Sequence, residues 1–176
     1  MPNNLKLLVH AILEDYALPW NGTHGVGHWA RVFENGMRLA EITGANVQVV
    51  QLFAIFHDSQ RVNEGTDFGH GFRGAEYAGK LRGVVFDLPD DEFKLLCDAC
   101  AGHTDEVTHH DITLQTCWDA DRLDLGRVGI YPDVSRLCTS AAKSPKIIQW
   151  ADGRASFEVI PGIVEQDWGV NTEGWR

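Results

Sequence analysis

The sequence has little positive charge and few cysteines for its length. Its 176 residues include 15 lysines and arginines against 25 aspartates and glutamates, which gives a formal net charge of −10 with the eight histidines neutral. A protein that binds duplex nucleic acid by neutralising phosphates needs the opposite balance, so this composition argues against that class. Four cysteines are too few for a disulfide scaffold, and we expect them to be reduced thiols.

Long apolar runs are also lacking. The longest strong stretch, residues 52–56, is far below the roughly 18 apolar residues that a membrane span needs. Residues 1–6 do not have the basic-then-apolar layout of a signal peptide. We therefore predict a cytoplasmic protein that binds neither a membrane nor a nucleic-acid polymer.

The pattern that is present is helical. Apolar residues recur at helical spacing over residues 5–16, with Asn3 or Asn4 as the N-cap. The same periodicity predicts the helices 28–43, 47–57, 74–85, 90–103 and 112–125, and more weakly 134–143 and 145–160, before an irregular tail of sixteen residues. Residues 47–57 are apolar almost all round, which is typical of a central helix, although their β-branched residues also fit a strand. The prediction is an all-α helical bundle, a single domain over residues 1–176.

Several imidazoles and carboxylates interrupt these apolar helices at their ends or inner faces. Burying such groups costs several kcal/mol unless they are paired or bound to a metal. The positions are His28, His57, Asp58, His70, His103 and Asp121. Neutral imidazole together with carboxylate suits Mn, Fe, Co, Ni or Zn better than Mg or Ca, so the pattern predicts a divalent transition metal.

These residues, in this order, resemble the HD-domain superfamily of metal-dependent phosphohydrolases, which takes its name from an adjacent pair such as His57-Asp58. His28 in its Gly-His-Trp-Ala-Arg-Val segment is similar to the family's first histidine, and Asp121 is similar to its final aspartate. The resemblance covers about residues 25–125 and implies the family's helical fold, with a metal held by all four residues. The whole chain also looks like a small bacterial group of such proteins.

Two further positions resemble a subset of the family that binds two metals. His70, four residues before Gly74, is similar to the fourth ligand, and His103 to the fifth. With these filled, the resemblance implies that Asp58 bridges two ions and is the catalytic carboxylate. The alternative is that both are ordinary loop and helix-end histidines, and the pair His109-His110 could take the place of His103, although its polar setting favours exposure.

One departure from the family concerns the residues after the His-Asp pair. Single-metal members often carry there a carboxylate that activates water, whereas this chain has Ser59, Gln60 and Arg61, and its next acid is Glu64. A second metal could do that work instead. We expect Arg61 and Arg73 to bind substrate, because a guanidinium fork matches phosphate oxygens, or else to form salt bridges with neighbouring acids.

The remaining histidines and cysteines invite simpler interpretations. Cys97, Cys100 and His103 share a zinc-like spacing, but no second pair completes a site, so the cysteines are interpreted as small buried residues. His10 and His24 are expected at the surface.

Three functions remain open from the sequence. The first is hydrolysis of a small phosphate ester, such as a nucleotide, by a metal-activated water. The second is a dinuclear iron oxygenase that acts on a small anionic, phosphonate-like substrate. The third is a metal-dependent sensor or interaction module whose site has lost its activity. A cationic metal pocket in an acidic surface favours a small anionic substrate, and the sequence leaves a homo-oligomer open.

Overall fold

The computed structural model describes residues 4–175, which form eight α-helices. They are α1 (Leu5–Glu14), α2 (Val26–Thr43), α3 (Val47–Phe56), α4 (His70–Leu81), α5 (Asp90–Gly102), α6 (Ile112–Arg122), α7 (Pro145–Ser156) and α8 (Ile163–Gln166). Two 3-10 turns, Leu125–Val128 and Val134–Arg136, lie between α6 and α7. Among these described residues the β-type pairing is an isolated bridge between Arg82 and Phe86, so the all-α prediction is confirmed. No helix in residues 4–175 combines the length and apolar character that a membrane span requires.

Helix α3 lies at the centre of the bundle. Its apolar residues from Val49 onward are almost all buried, and it packs against α2, α4, α5 and α6. The side chain of Asn46 caps its first turn by accepting a hydrogen bond from the Val49 amide. Burial of each such Val, Leu, Ile or Phe side chain contributes roughly 1.5–3 kcal/mol to the free energy of folding, so this segment is a main source of core stability. The end of α3 therefore delivers the next two residues, His57 and Asp58, to the interior.

Glycines allow the neighbouring helices to approach closely. A Cβ at Gly36 of α2 would lie 2.5 Å from Cγ1 of Val50 on α3. In α4, a Cβ at Gly71 would lie 2.2 Å from the Cys100 carbonyl oxygen, and one at Gly74 would lie 2.5 Å from the Phe56 carbonyl oxygen. Because no side chain fits these gaps, the glycines set the depth at which α4 lies against α3 and α5.

The same glycines explain an error in the predicted boundaries. The sequence pattern starts a helix at residue 74 and assigns 63–71 to a loop, whereas α4 begins at His70, directly after Gly69 at φ 76°. It also ends earlier than predicted, at Leu81. The glycines near its start are packing residues of a helix rather than loop residues, and His70 is therefore held by a helix.

The prediction is also wrong beyond α6. The helix expected over 134–143 is absent, and only a 3-10 turn forms there. The carboxylate of Asp119 accepts hydrogen bonds from the amides of Cys138 and Thr139, which fixes that chain in a non-helical path. Helices α6 and α7 are shorter than predicted, α2 begins two residues earlier, and the tail contains the short α8. At the N-terminus Asn4 caps α1, while the alternative cap, Asn3, lies outside the described residues.

Candidate metal centre

Five helices bring the six predicted ligands to one place. His28 lies in the first turn of α2, His57 and Asp58 come directly after the last turn of α3, and His70 opens α4. His103 caps the C-terminus of α5, and Asp121 lies near the end of α6. The four histidines and Asp58 are buried, and the Asp121 side chain is 17% exposed.

Each of the four histidines is oriented by a hydrogen bond at Nδ1. The acceptors are the carbonyls of Phe53 and Ala54 for His57 (3.1 Å each), Asp67 for His70 (2.6 Å) and Cys100 for His103 (2.7 Å), and the carboxylate of Asp124 for His28 (2.7 Å). Because these oxygens can only accept, Nδ1 carries the proton in each ring. When neutral, each ring therefore carries its lone pair on Nε2, which is the nitrogen that can bind a metal.

The four Nε2 atoms converge in two pairs. Those of His28 and His57 are 3.0 Å apart, and those of His70 and His103 are also 3.0 Å apart. Two lone pairs at this distance repel each other unless a cation or a proton lies beside them. The arrangement therefore fits a bound cation.

The carboxylate of Asp58 lies between the two pairs. Its Oδ2 is 3.3 Å from Nε2 of His28 and 3.7 Å from that of His57. Its Oδ1 is 3.1 Å from Nε2 of His70 and 3.7 Å from that of His103. Two groups of donors result, each able to hold a metal ion, and Asp58 belongs to both.

Asp121 adds a donor to the first group. Its Oδ1 lies 3.4 Å from Nε2 of His28 and 3.6 Å from Nε2 of His57. This oxygen is buried and has no hydrogen-bond partner among the described residues. Leaving a buried acceptor unsatisfied costs about 1–3 kcal/mol, and coordination to a metal ion would remove that cost.

Positive charge at this centre keeps both carboxyl groups ionised. Burial raises the pKa of Asp58, but the surrounding imidazoles, His57 first and then His103, His28 and His70, hold that pKa well below its usual range. Burial likewise raises the pKa of Asp121, while the imidazole of His57, 3.6 Å away, lowers it strongly. Both groups are anions at neutral pH, as metal ligation requires.

Asp124 supports the first group from behind. Besides accepting from His28, it accepts two hydrogen bonds from Arg31, at 2.7 Å from Nε and 3.1 Å from Nη2. Burial raises the pKa of Asp124, but His28 and Arg31 lower it, so the carboxylate is charged. Asp124 thus both orients a proposed ligand and pairs with a cation. Arg31 was visible in the sequence only as part of the motif around His28.

The two predicted substrate-binding arginines lie in different environments. Arg61 is buried beside the centre, with Nη1 3.5 Å from Oδ1 of Asp58 and 3.1 Å from Nε2 of His70. Arg73 does not line the cavity above the centre; it forms an ion pair with Asp67 at 2.7 Å. For Arg73 the geometry favours the salt-bridge interpretation. Its effect on the site is indirect, since the Asp67 carbonyl orients His70.

The expectation that His24 lies at the surface is wrong. The His24 ring is buried, and its Nδ1 lies 2.5 Å from Oε2 of Glu64. The main-chain carbonyl of His24 accepts hydrogen bonds from the side chains of Tyr16 and Trp29, which hold this loop against the core. Glu64, the first acid after the His-Asp pair, is thereby bound and does not line the cavity. No feature of the sequence indicated this pairing.

The pair His109-His110 and the four cysteines lie apart from the centre. His109 is half-buried and accepts a hydrogen bond from the Asp111 amide, and His110 is exposed, so neither replaces His103. The metal-capable groups found among residues 4–175 contain no cysteine. Cys100 and Cys117 are buried as expected, whereas Cys97 and Cys138 are only half-buried.

A cavity of about 520 Å³ opens above the centre. Asp58, His70, His103 and Asp121 form part of its lining, together with Arg61. A volume of 300–1,000 Å³ is usual for sites that enclose small molecules, so a ligand in this cavity would reach the donor groups directly.

Comparison with known proteins adds one relative. No protein-family model and no curated protein matches the sequence. A solved structure, a predicted HD superfamily hydrolase from an uncultured Thermotogales bacterium, is similar to this chain with 30% sequence identity and a TM-score of 0.61. The match covers 88% of this chain and 85% of that one.

Proposed function

The chain belongs to the HD superfamily, and on that basis we propose that it is a metal-dependent hydrolase of a small phosphate ester, with a nucleotide as one example. The observation that carries the proposal is the position of Asp58, whose two carboxylate oxygens face two separate histidine pairs. This arrangement supports a dinuclear site in which His28, His57 and Asp121 complete one half and His70 and His103 the other. Imidazole and carboxylate donors favour Mn, Fe, Co, Ni or Zn.

The reaction that we propose is a displacement at phosphorus. The oxygen of water forms a bond to phosphorus, the ester P–O bond breaks, and the alcohol leaves with one of the water's protons. When bound, divalent ions lower the pKa of water and withdraw charge from phosphate oxygens. Asp58 and Asp121 contribute the negative charge that retains such ions. Arg61, held beside Asp58, would donate hydrogen bonds to the phosphate.

The residues that directly follow the His-Asp pair, 59–64, offer no free general base to the cavity. Ser59 donates its hydroxyl to the Phe56 carbonyl, and Glu64 is bound to His24. A mononuclear mechanism with a carboxylate base close after the His-Asp pair therefore has no candidate among these residues. This supports the dinuclear form of the proposal. The cytoplasmic location, the single-domain organisation and a homo-oligomer stay predictions.

Metal analysis and turnover under two atmospheres test the proposal. Protein purified without added metal, or reconstituted with Mn or Fe, is expected to bind two ions per chain by mass spectrometry of the metals. It is expected to release inorganic phosphate from a panel of phosphate monoesters equally under nitrogen and under air.

Three results would contradict this expectation. Turnover that needs dioxygen and two irons would establish the iron oxygenase instead. Tight metal binding without turnover of any ester would favour the sensor. Failure to bind metal on reconstitution would remove the site itself.

A further inference from the structure

The mouth of the cavity is lined by exposed apolar side chains from two separate segments. Phe68 precedes α4 and Phe72 lies in its first turn, and Ile130 and Tyr131 come after the first 3-10 turn. Their exposed fractions are 89%, 62%, 53% and 63%. Single exposed apolar residues are ordinary on protein surfaces, but four that line one cavity mark a binding surface. The floor of the same cavity contains four of the six metal-site residues.

The arginines of the cavity wall are largely engaged with the protein. Three of the four, Arg61, Arg122 and Arg127, donate hydrogen bonds to main-chain carbonyls, among them those of Gly65, Val107 and Thr23. Arg61 lies at the floor beside Asp58 and belongs to the metal centre, while Arg122 and Arg127 use most of their donors to hold the wall in shape. They do not form a second phosphate-binding position away from the metal centre.

Charges at the mouth lead to the same conclusion. The fourth arginine, Arg136, is exposed, and two exposed carboxylates, Asp105 and Asp133, line the cavity with it. The carboxylates offset the charge of Arg136 and repel additional phosphates. One phosphate at the floor is favoured, whereas a chain of phosphates extending toward the mouth is not.

We propose that the substrate is a phosphate monoester of an apolar, ring-containing alcohol, whose ring lies against Phe68, Phe72, Ile130 and Tyr131. This inference rests on the proposed function for the position of the phosphate and adds what the remainder of the substrate must be. The cavity volume fits a ring-sized group beyond the phosphate. The four side chains then lose water contact on substrate binding, which explains why apolar groups stand exposed beside a polar centre.

Two phosphonates separate the contribution of the ring from that of the anion. Phenylphosphonate and methylphosphonate share one head group and differ in the ring, and neither is hydrolysed at phosphorus by displacement of an ester. Calorimetric titration of the metal-loaded protein is expected to give a Kd for phenylphosphonate at least about tenfold lower. Phe72→Ala and Tyr131→Ala are each expected to reduce that ratio by about 2–10-fold, mainly through the phenyl compound.

Phe157→Ala is the matched control, because Phe157 is 85% exposed and does not line this cavity. It is expected to leave the ratio unchanged, and thermal melts check that all three variants fold. Equal affinity for the two phosphonates, or equal weakening of both by Phe72→Ala, would overturn the inference while leaving the hydrolase proposal intact. If neither phosphonate bound, the result would count against both the inference and the hydrolase proposal. A change in light-scattering mass on Phe72→Ala with an unchanged ratio would show that the mouth contacts a second copy, and would also overturn it.

Discussion

Replacement of Asp124 tests whether the support behind His28 determines metal affinity. In Asp124→Asn the side chain keeps its shape but loses the charge that pairs with Arg31 and holds the Nδ1 proton of His28. Breaking a buried ion pair on one side costs about 3–5 kcal/mol, and part of that loss should remain in Asn because its single oxygen accepts fewer hydrogen bonds. We expect the free energy of unfolding to fall by about 2–4 kcal/mol.

The metal should be affected through the ring rather than through direct contact. Without the carboxylate, His28 is a weaker base and is less firmly oriented, so the affinity of the first donor group should fall by about 10–100-fold. Competitive titration against a chelating indicator measures this change, and urea unfolding of the same samples measures the stability.

Asp119→Asn is the matched control for this experiment. Asp119 is also a buried aspartate in the same region of the chain, and it accepts hydrogen bonds from Cys138 and Thr139 rather than from a metal ligand. It should lose stability and retain metal affinity within a factor of about three. If Asp124→Asn and Asp119→Asn lowered metal affinity equally, the argument that Asp124 acts through His28 would be refuted.

The remaining predictions concern metal count, packing and acid stability. His103→Ala is expected to lower bound metal from two ions to one, whereas His110→Ala, an exposed histidine, should leave two by metal mass spectrometry. Gly74→Ala should destabilise the fold by about 1–3 kcal/mol in urea unfolding, because its Cβ meets an α3 carbonyl. The control Gly79→Ala, where the nearest neighbouring atom is 3.9 Å from the added Cβ, should stabilise the fold by about 0.5–1 kcal/mol. If both variants changed the free energy of unfolding in the same direction, the packing argument would be contradicted. The folded-state pKa of Asp124 is lowered, so its contribution to stability is present above about pH 4 and disappears as the pH falls through its folded-state pKa. Acid unfolding followed by circular dichroism should therefore be shallower below about pH 4 in Asp124→Asn than in the parent chain, and parallel curves would contradict this.

The sequence is most informative where a single element determines the outcome. Residues 47–57 are apolar on nearly every side, and this local property predicts both the central helix and the burial of the His-Asp pair at its end. Gly71 and Gly74 mislead for the opposite reason, because their role depends on carbonyls of α3 and α5 that are distant in the sequence. The helix wrongly predicted over 134–143 depends likewise on a carboxylate of α6.

In the candidate site, too, local features can be predicted from the sequence and contacts between distant residues cannot. Five of the six proposed ligands stand at helix ends or inner faces that periodicity predicts, whereas His70 lies in the segment 63–71 that the same pattern assigns to a loop. The partners of those ligands cannot be predicted from periodicity, because Asp124 reaches His28 across 96 residues. The pairing of Glu64 with His24, across 40 residues, is hidden in the same way. The apolar mouth of the cavity is equally hidden, since Phe68 and Tyr131 share a surface only after the bundle has folded.

Helix ends also explain why these particular histidines present Nε2. A helix leaves the carbonyls of its last turn without partners, and a histidine directly after that turn can donate Nδ1–H to them. His57 does so to Ala54 and also to Phe53, whose carbonyl already accepts from the His57 amide, and His103 does so to Cys100, so the same contact fixes each ring in one tautomer. His10 lies within α1 and instead uses Nε2 to contact the Trp168 carbonyl, which leaves that nitrogen unavailable to a metal. A histidine at the C-terminus of a buried helix is thus prepared for ligation by the backbone itself, before any other ligand is in place.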